Sequence, residues 1–350
     1  MIRVLLIGPL PPPMGGDTRH FATLAADLAR HPGFAVRLVN TSRGAAHSRP
    51  WHNAVMALKT IGVLVANIRR TDVVSFHASD RGMVMFAPWI LAMCRLFRRP
   101  VILRLFGGSF GDYFASSGTL LRGLIRRFVL GADVVLLQTK RAMGQLQSHA
   151  RGELVWFSTY IKSVNPPAGL EIPTQCRRFV FLGHLWRTKG VEIILEAAAS
   201  LPPDCTIDLF GPPDEYTREQ IDARGAGRVR YRGYLRHEEV ESVLWNYDCL
   251  VLPTFHPGEG YPGVIAEAFA HRLPVITTRW LAIPEIVDDS CGILVEAEDS
   301  AGFGAAVTAM HDDPRRWRAM KDAAGARAAD FDHEVWARHF ERLCARLVAS

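Results

Sequence analysis

The sequence is poor in lysine, in paired cysteine and in long apolar runs, and the last two shortages exclude whole classes of protein. Its six cysteines are scattered, with no C-x-x-C pair and no local Cys/His cluster at zinc-ligand spacing. This pattern indicates a reduced, cytoplasmic protein without a structural metal. The longest apolar run, residues 83–94, is too short to span a bilayer, and the N-terminal run before the prolines is too short for a signal peptide.

The common nucleotide-binding fingerprints are missing from the first strand-to-helix turn, residues 7–21 (IGPLPPPMGGDTRHF). This turn has no G-x-G-x-x-G, and the chain has no G-x-x-x-x-G-K-[ST], so a dehydrogenase or a P-loop phosphotransferase loses its main support. Gly15 and Gly16 nevertheless precede a helix, where adjacent glycines and unpaired N–H groups suit a phosphate. A plain tight turn explains the two glycines equally well.

Positive charge is concentrated in one half of the chain. Residues 1–165 hold 21 Lys+Arg against 7 Asp+Glu, a balance of +14, whereas residues 166–350 hold 20 against 28, a balance of −8, which together give the net +6. The two halves are therefore expected to face different partners.

Strand-like apolar runs alternate with helix-length segments from end to end, which is typical of parallel sheets built from βαβ units. Near-continuous Val, Ile and Leu in most runs indicates burial on both faces. Strands are predicted at about 4–7, 35–39, 73–76, 101–105, 134–138, 153–157, 178–182, 206–210, 229–232, 249–253, 275–277 and 293–295. Helices are predicted at 18–30 and 120–130, with a long helical tail at 314–348.

Residues 163–169 (SVNPPAG) break this alternation and are the natural hinge. We predict an α/β protein with an N-terminal Rossmann-like domain over 1–165 and a second over 166–330. A C-terminal helix over 331–350 is expected to return to the first domain.

Two glutamates stand out in residues 252–278 (LPTFHPGEGYPGVIAEAFAHRLPVITT). Glu259 lies in a loop after a buried strand, and Glu267 lies among apolar residues of the following helix. A buried carboxylate needs hydrogen-bond donors, and vicinal sugar hydroxyls supply two at once. An ion pair with a core arginine for Glu267, or a helix-dipole or loop contact for Glu259, is an equally good explanation.

A lysine follows another predicted strand, in residues 181–190 (FLGHLWRTKG), although the chain has only five lysines against 36 arginines. At this strand-to-helix junction Lys189 could meet a diphosphate over the C-terminal edge of the sheet. A solvated surface lysine is the alternative.

Several motifs in order resemble the retaining, nucleotide-sugar-dependent glycosyltransferases of the GT-B fold, in particular group 4. They are P-P-x-x-G-G, D-V-V-x-x-H at 72–77, G-x-L-x-x-x-K-G, E-G-x-x-x-x-x-x-E-A from Glu259, P-V-I-x-T, I-P-E-I-V and G-I-L-V-x-x-x-D at 292–299. The match covers nearly the whole chain. It implies two Rossmann-like domains whose parallel sheets face each other across a cleft.

The resemblance also implies roles for single residues. Glu267 would hold the ribose hydroxyls, Glu259 the donor-sugar hydroxyls and Lys189 the diphosphate. Glu259, Lys189, Arg187 and His77 are the implied catalytic residues. Further implied donor-binding residues are Gly15, Gly16, Gly183, His184, Gly233, Tyr234, Leu235, Gly260, Tyr261, Gly263, Val264 and Glu285. Arg104, Phe106 and Ser109 are the acceptor-side candidates.

The sequence departs from the family at three places. His184 stands where the family has a common arginine, Phe106 where it often has a histidine, and Leu281-Ala282 where it has two glycines. These changes affect the expected donor sugar and acceptor geometry more than the expected fold.

The implied activity is transfer of a sugar from a nucleoside diphosphate to a glycan or polyprenyl-linked acceptor in cell-envelope or exopolysaccharide synthesis. No cofactor and no metal are expected, and the leaving phosphate would deprotonate the acceptor. A sugar-nucleotide 2-epimerase on the same fold is one alternative. A non-catalytic sugar-nucleotide-binding subunit is another, suggested by His184 and Phe106.

The basic half contains an amphipathic segment, residues 120–128 (LLRGLIRRF), besides Arg69-Arg70, Arg95 and Arg98-Arg99. We hypothesise that this half docks on the anionic inner face of the plasma membrane to reach a lipid-linked acceptor. A solvated helix packed on its sheet is the alternative. Nucleic acid is not an expected partner, because the arginines lack interleaved aromatics or a recognised module.

Overall fold

A computed structural model describes residues 1–12, 15–42, 60–171 and 173–349. The chain divides into two compact units. Unit 1 comprises Met1–Tyr160 and His333–Ser350, and unit 2 comprises Ile161–Asp332. These divisions lie close to the boundaries predicted at 165/166 and 330/331.

Unit 1 is built on a six-stranded, fully parallel sheet of order β2-β1-β3-β4-β5-β6. All residues of β4 and β5 are buried, as their runs of Val, Ile and Leu predict, and the one charged residue in these runs is Arg104 in β4. The strands are β1 Ile2–Gly8, β2 Phe34–Asn40, β3 Val73–Ala78, β4 Val101–Leu105, β5 Val134–Leu137 and β6 Glu153–Trp156. The helices of unit 1 that come before unit 2 in the chain are α1 Gly16–Arg30, α2 Asp80–Leu96, α3 Phe110–Ser116, α4 Thr119–Leu124 and α5 Lys140–Leu146. Residues 60–67 are also helical.

The helix predicted over 120–130 is only partly α-helical. It begins as α4 and continues over Ile125–Val129 as a wider π-helical turn. Ile125 and Val129 are buried against α2, so packing rather than local propensity sets this geometry.

Unit 2 repeats the architecture with sheet order β12-β11-β10-β7-β8-β9, again fully parallel. The strands are β7 Arg178–Leu182, β8 Thr206–Phe210, β9 Val229–Gly233, β10 Cys249–Leu252, β11 Val275–Thr278 and β12 Gly292–Val295. The helices are α6 Val191–Ala197, α7 Arg218–Arg224, α8 His237–Leu244, α9 Gly263–Ala270, α10 Ser300–Asp312 and α11 Pro314–Arg327. The predicted α/β fold with two parallel sheets is confirmed.

The helical tail predicted over 314–348 is not continuous, and its last part corresponds to the C-terminal helix predicted over 331–350. A short 3₁₀ turn, Ala328–Phe331, separates α11 from the last helix, α12 His333–Ala349. Phe331 is buried, and its carbonyl accepts a hydrogen bond from the Ile161 N–H at 2.8 Å. This tertiary contact ends the first helix at a place where the sequence has no proline or glycine.

Helix α12 packs on unit 1 through one apolar stripe. Trp336, Phe340, Leu343 and Cys344 follow helical spacing and are buried in the same core as Phe157. No helix among residues 1–12, 15–42, 60–171 and 173–349 is long and apolar enough to cross a membrane.

We expect Phe340→Ala to lower the free energy of unfolding by about 3–5 kcal/mol, because it leaves a cavity under α12. Val335 lies on the same helix and is 44% exposed, so Val335→Ala should change it by less than about 0.5 kcal/mol. Urea unfolding of both variants measures the difference. Equal losses would show that α12 does not complete the core of unit 1.

Candidate functional site

The strand order of unit 2 reverses between β7 and β10, which are neighbours in the sheet. The chain leaves β7 towards β8 and β9 on one side, and β10 towards β11 and β12 on the other. Ligands of open α/β sheets bind at such a point, outside the C-terminal ends of the strands. The loops that follow β7 and β10 meet there.

A glycine sets how closely these two loops approach. Gly190 has φ of 91°, and a Cβ at this position would lie 2.2 Å from the Pro253 carbonyl oxygen. Only glycine fits, both for the backbone angle and for the close approach. The Phe255 N–H also donates to the Thr188 carbonyl at 2.8 Å, which ties the loops together next to Lys189.

Lys189 and Glu259 form an ion pair across the two loops. Lys189 Nζ lies 2.6 Å from Glu259 Oε2, and the Thr254 hydroxyl donates to the same oxygen at 2.9 Å. The two side chains are only 16% and 8% exposed. Because the charges are largely removed from water, each needs the other as a partner. The resemblance assigned them to different parts of a donor, and the structure brings them into contact.

Helix α9 begins directly after this loop, with Pro262 at its N-cap. Glu267 on α9 is 8% exposed and lies between the fully buried Ala266 and Ala268. Its burial agrees with the position predicted from the apolar pattern. The Tyr261 hydroxyl donates to Glu285 Oε2, so the loop before α9 is joined to the segment after β11.

Other predicted donor residues lie along the same edge of unit 2. Gly183 follows β7, and its carbonyl comes so close to Gly211 that a Cβ there would lie 1.7 Å away. Gly233 ends β9 with φ of 101°, followed by Tyr234, which is 57% exposed, and the half-buried Leu235. Buried Gly260 and half-buried Gly263 and Val264 flank the start of α9.

The two further residues predicted near the diphosphate, His184 and Arg187, each have an acidic partner. His184 Nδ1 lies 2.6 Å from Asp214 Oδ2, and its ring stacks on Trp186 at 4.5 Å between centroids. The Arg187 guanidinium lies 3.5 Å from Glu298 and is 65% exposed. Neither group is held in place by burial as Lys189 is.

Sequence reasoning missed several residues at this edge. The ring of His256 lies 5.4 Å from that of Trp186, and the Trp280 indole N–H donates to the His256 carbonyl at 2.8 Å. Burial lowers the pKa of His256, and the nearby Lys189 lowers it further. The sequence did contain one signal for a ligand-binding loop close to His256. Residues 258–263 (GEGYPG), between β10 and the first turn of α9, have the G-x-G-x-x-G spacing.

In unit 1, Arg104 is buried in an aromatic cage. It is 1% exposed, its Nη1 donates to the Tyr160 hydroxyl at 2.8 Å, and its guanidinium lies 4.9 Å from the Phe106 ring centroid and 4.6 Å from that of Phe157. These contacts favour the cation over the ring faces. Phe106 is itself 2% exposed. An acceptor role for this pair stays a prediction.

His77 and Ser109 are also tied to neighbours in unit 1. His77 is fully buried with Nε2 2.8 Å from Ser75 Oγ. Burial, with the charge of Arg104, holds the pKa of His77 well below its usual range, so the ring is neutral at pH 7. The Ser109 hydroxyl donates to Asp80 Oδ2 at 2.7 Å.

Gly15 and Gly16 lead into α1, where Asp17 occupies the first turn. Burial raises the pKa of Asp17 to about 6, with Arg104 opposing the shift and Asp80 adding to it. Burial likewise raises the pKa of Asp80, against the hydrogen bond from Ser109. The turn predicted to close over a diphosphate therefore has carboxylates beside it.

One group in the described part of the chain has the composition of a metal site, and it lies outside this edge. Asp204, Cys205 and His311 place their ligand atoms within 4.8 Å of one another. His311 Nε2 already lies 3.1 Å from the Gln175 amide nitrogen, and burial raises the pKa of Cys205 to about 12. A protonated thiol is a poor metal ligand. The expectation of no metal stays a prediction.

The chain matches known proteins in sequence, and the family match lies in its second half. Residues 176–313 match the family model Glycosyl transferases group 1. D-inositol 3-phosphate glycosyltransferase of Corynebacterium diphtheriae is 30% identical over 245 residues, which is 62% of this chain and 56% of that protein. The chain spans about half the length of the curated relatives it matches.

Solved structures match over the full length. Sucrose-phosphate synthase from Thermosynechococcus elongatus aligns with a TM-score of 0.78 at 17% identity, covering 100% of both chains. The Anabaena protein HepE in complex with UDP aligns with a TM-score of 0.75 at 17% identity, covering 99% of this chain and 100% of that one. HepE was also solved with UDP-glucose.

Two parallel sheets of this order, each in its own unit, define the GT-B fold class. With the family match over residues 176–313, the comparisons confirm the resemblance to GT4-like glycosyltransferases of this fold.

The raised pKa of Asp17 predicts a specific pH dependence of stability. The folded-state pKa is about 6 and the unfolded-state pKa is about 3.9, so the folded protein binds more protons between these values. The free energy of unfolding should therefore fall as the pH rises from about 4 to about 6. In Asp17→Asn this part of the decline should disappear, as measured by urea unfolding across that range.

Asp222→Asn is the matched control, because it removes the same charge from an exposed position of α7. It should keep the slope of the wild-type protein. If Asp17→Asn and the wild type lose stability in parallel, the carboxyl of Asp17 is not the group responsible.

Proposed function

We propose that the protein transfers a sugar from a nucleoside diphosphate to a glycan or lipid-linked acceptor, with retention of anomeric configuration. The observation that carries this proposal is the Lys189–Glu259 pair at the point where the strand order of unit 2 reverses, in the loop before the helix that holds buried Glu267. All three residues lie within the segment that matches Glycosyl transferases group 1. The UDP-glucose complex of HepE adds support for a nucleotide-sugar donor.

The chemistry needs stabilisation of a departing diphosphate. The Lys189 ammonium is fixed by Glu259, and the N-terminus of α9 presents backbone N–H groups and the positive end of its dipole. Fixed charges of this kind stabilise a leaving anion without reorganising during the reaction. Phosphate oxygens would share the ammonium with Glu259, whose carboxylate then accepts hydrogen bonds from the donor sugar.

In the proposed transfer, the bond between the anomeric carbon and the phosphate oxygen breaks while the acceptor oxygen bonds to the same face of the sugar. The acceptor proton passes to the departing phosphate. Glu267 would accept hydrogen bonds from the ribose hydroxyls, and no cofactor or metal takes part.

Binding of the donor predicts a thermal shift that depends on Glu267. At a concentration of a UDP-, GDP- or ADP-sugar about 100 times its Kd, the native state gains about 2.7 kcal/mol, which corresponds to several degrees in Tm. Glu267→Ala should lose this shift, because it removes the ribose contact. Glu241→Ala, at an exposed position of α8, should keep it. A shift retained in Glu267→Ala would place the ribose elsewhere.

The stabilising donor then serves to test transfer itself. With an acceptor mixture, NMR of the product should show a new glycoside with the anomeric configuration of the donor. A donor epimerised at C2 would instead identify an epimerase. Binding with no hydrolysis and no transfer would identify an accessory subunit.

We further propose that unit 1 contacts the anionic inner face of the plasma membrane. Three apolar side chains on α2 and α4 point into solvent: Trp89 is 62% exposed, Leu96 72% and Leu120 81%. Exposed Arg126 and Arg127 lie in the turn that packs against α2. Apolar side chains beside arginines are typical of helices that lie in a membrane interface.

Vesicle sedimentation tests this contact. Wild-type protein should sediment with phosphatidylglycerol vesicles and not with phosphatidylcholine vesicles, and salt should weaken binding. Trp89→Glu with Leu120→Glu should lower the bound fraction severalfold, whereas Leu170→Glu, at an exposed position of unit 2, should not. Equal recovery with both lipids, insensitive to salt, would exclude the contact.

A further inference from the structure

Unit 1 contains an arginine-lined cavity at the N-terminal ends of β3, β4 and β5. Its volume is about 500 Å³. Arg95, Arg98 and Arg99 line it, together with Asp72 and Asp133. Side chains at the C-terminal ends of the strands, such as those beside Gly15 and Gly16, lie at the opposite edge of the sheet. The cavity is therefore separate from the residues discussed as acceptor and donor site.

The three arginines have no carboxylate partner within ion-pair distance among the described residues. Arg95 Nη2 donates to the Gly131 carbonyl at 2.9 Å, and Arg99 Nη2 donates to the Arg69 carbonyl at 3.1 Å. Arg99 Nε is buried and makes no hydrogen bond. A buried guanidinium N–H without an acceptor is costly. Arg99 as a whole is half-buried, and Arg95 and Arg98 are exposed, so all three can be reached from solvent.

The two carboxylates of the cavity are committed to other groups. Asp72 accepts from the Arg3 backbone N–H at 2.8 Å and pairs with its guanidinium at 2.6 Å. Asp133 Oδ2 accepts from the Val101 N–H at 2.8 Å. Asp72 is paired with Arg3, and the charge of Arg99 also helps to lower the pKa of Asp72. With Asp133 as the other carboxylate of the lining, the three arginines carry an excess of positive charge.

Arg98 adds an independent observation from the backbone. It follows the C-terminal residue of α2 and its cap, and it has a left-handed φ of 53°. Glycine is strongly favoured at this position of a helix end. A cation near the C-terminus is favourable for the helix dipole, but that effect does not require the left-handed residue itself to be an arginine.

We propose that this cavity binds a phosphate-bearing anion. The planar guanidinium fork matches phosphate oxygens in a bidentate geometry, and three arginines around one cavity offer such contacts from several sides. The anion's source is a free phosphate or diphosphate, or the headgroup of an anionic lipid. The site is independent of the proposed transferase function, because none of its residues lies in unit 2.

Arg98→Gly is the informative variant. It removes one guanidinium and leaves glycine where the backbone favours it, so its Tm should equal or exceed that of the wild type. Calorimetric titration with inorganic phosphate and with pyrophosphate should show binding to the wild-type chain and at least tenfold weaker binding to Arg98→Gly. Arg230→Ala, which removes the same charge from an exposed position of unit 2, should bind like the wild type.

Two further experiments distinguish this cavity from the candidate site of unit 2, and a free phosphate from a lipid headgroup. Lys189→Ala should retain the phosphate binding that Arg98→Gly loses, even if no sugar nucleotide ever binds unit 2. Phosphatidylglycerol vesicles should capture the wild type at least tenfold better than Arg98→Gly if the source is a lipid headgroup. If Arg98→Gly and the wild type behave alike with phosphate, pyrophosphate and vesicles, the cavity is no anion site and the proposal falls.

Discussion

The ion pair between Lys189 and Glu259 is the constraint on which the candidate site of unit 2 depends. Both side chains are largely withdrawn from water, so removing either one would strand a buried charge. The close approach of Gly190 to Pro253 brings their loops within reach. The pair therefore fixes an ammonium group at the reversal of strand order. In the function proposed above, a preorganised cation of this kind does not have to be ordered when a diphosphate binds.

Unit 1 is organised around a buried cation in a different way. Arg104 has aromatic rings and the Tyr160 hydroxyl around it instead of a carboxylate. The burial of His77 and, to a lesser extent, the charge of Arg104 lower the pKa of His77 and keep its ring neutral. The same two causes lower the pKa of His20 to about 3. The same charge opposes the raised pKa of Asp17. One guanidinium thus influences the protonation of several groups along this edge of the sheet.

The sheets could be predicted from the sequence because a strand that is buried on both faces is a continuous apolar run, as in β5 and β10. The contact between Lys189 and Glu259 was not readable, since 70 residues separate them and their loops meet only through the sheet. The break at Ala328–Phe331 was missed for a similar reason. Its cause is the contact of Phe331, near the end of unit 2, with Ile161, which is the first residue of unit 2.

The partners and exposure of His184, Arg187 and Lys189 indicate what the departure from the family at position 184 changes. His184 lies against Asp214 and Arg187 lies against Glu298, and both are largely exposed, where solvent screens such pairs and their positions are weakly held. Lys189 is held by burial, by Glu259 and by the rigid turn at Gly190. The absence of an arginine at position 184 therefore removes a cation from an exposed position and leaves the largely buried Lys189 in place. In the function proposed above, stabilisation of a diphosphate therefore rests mainly on Lys189 and the N-terminus of α9.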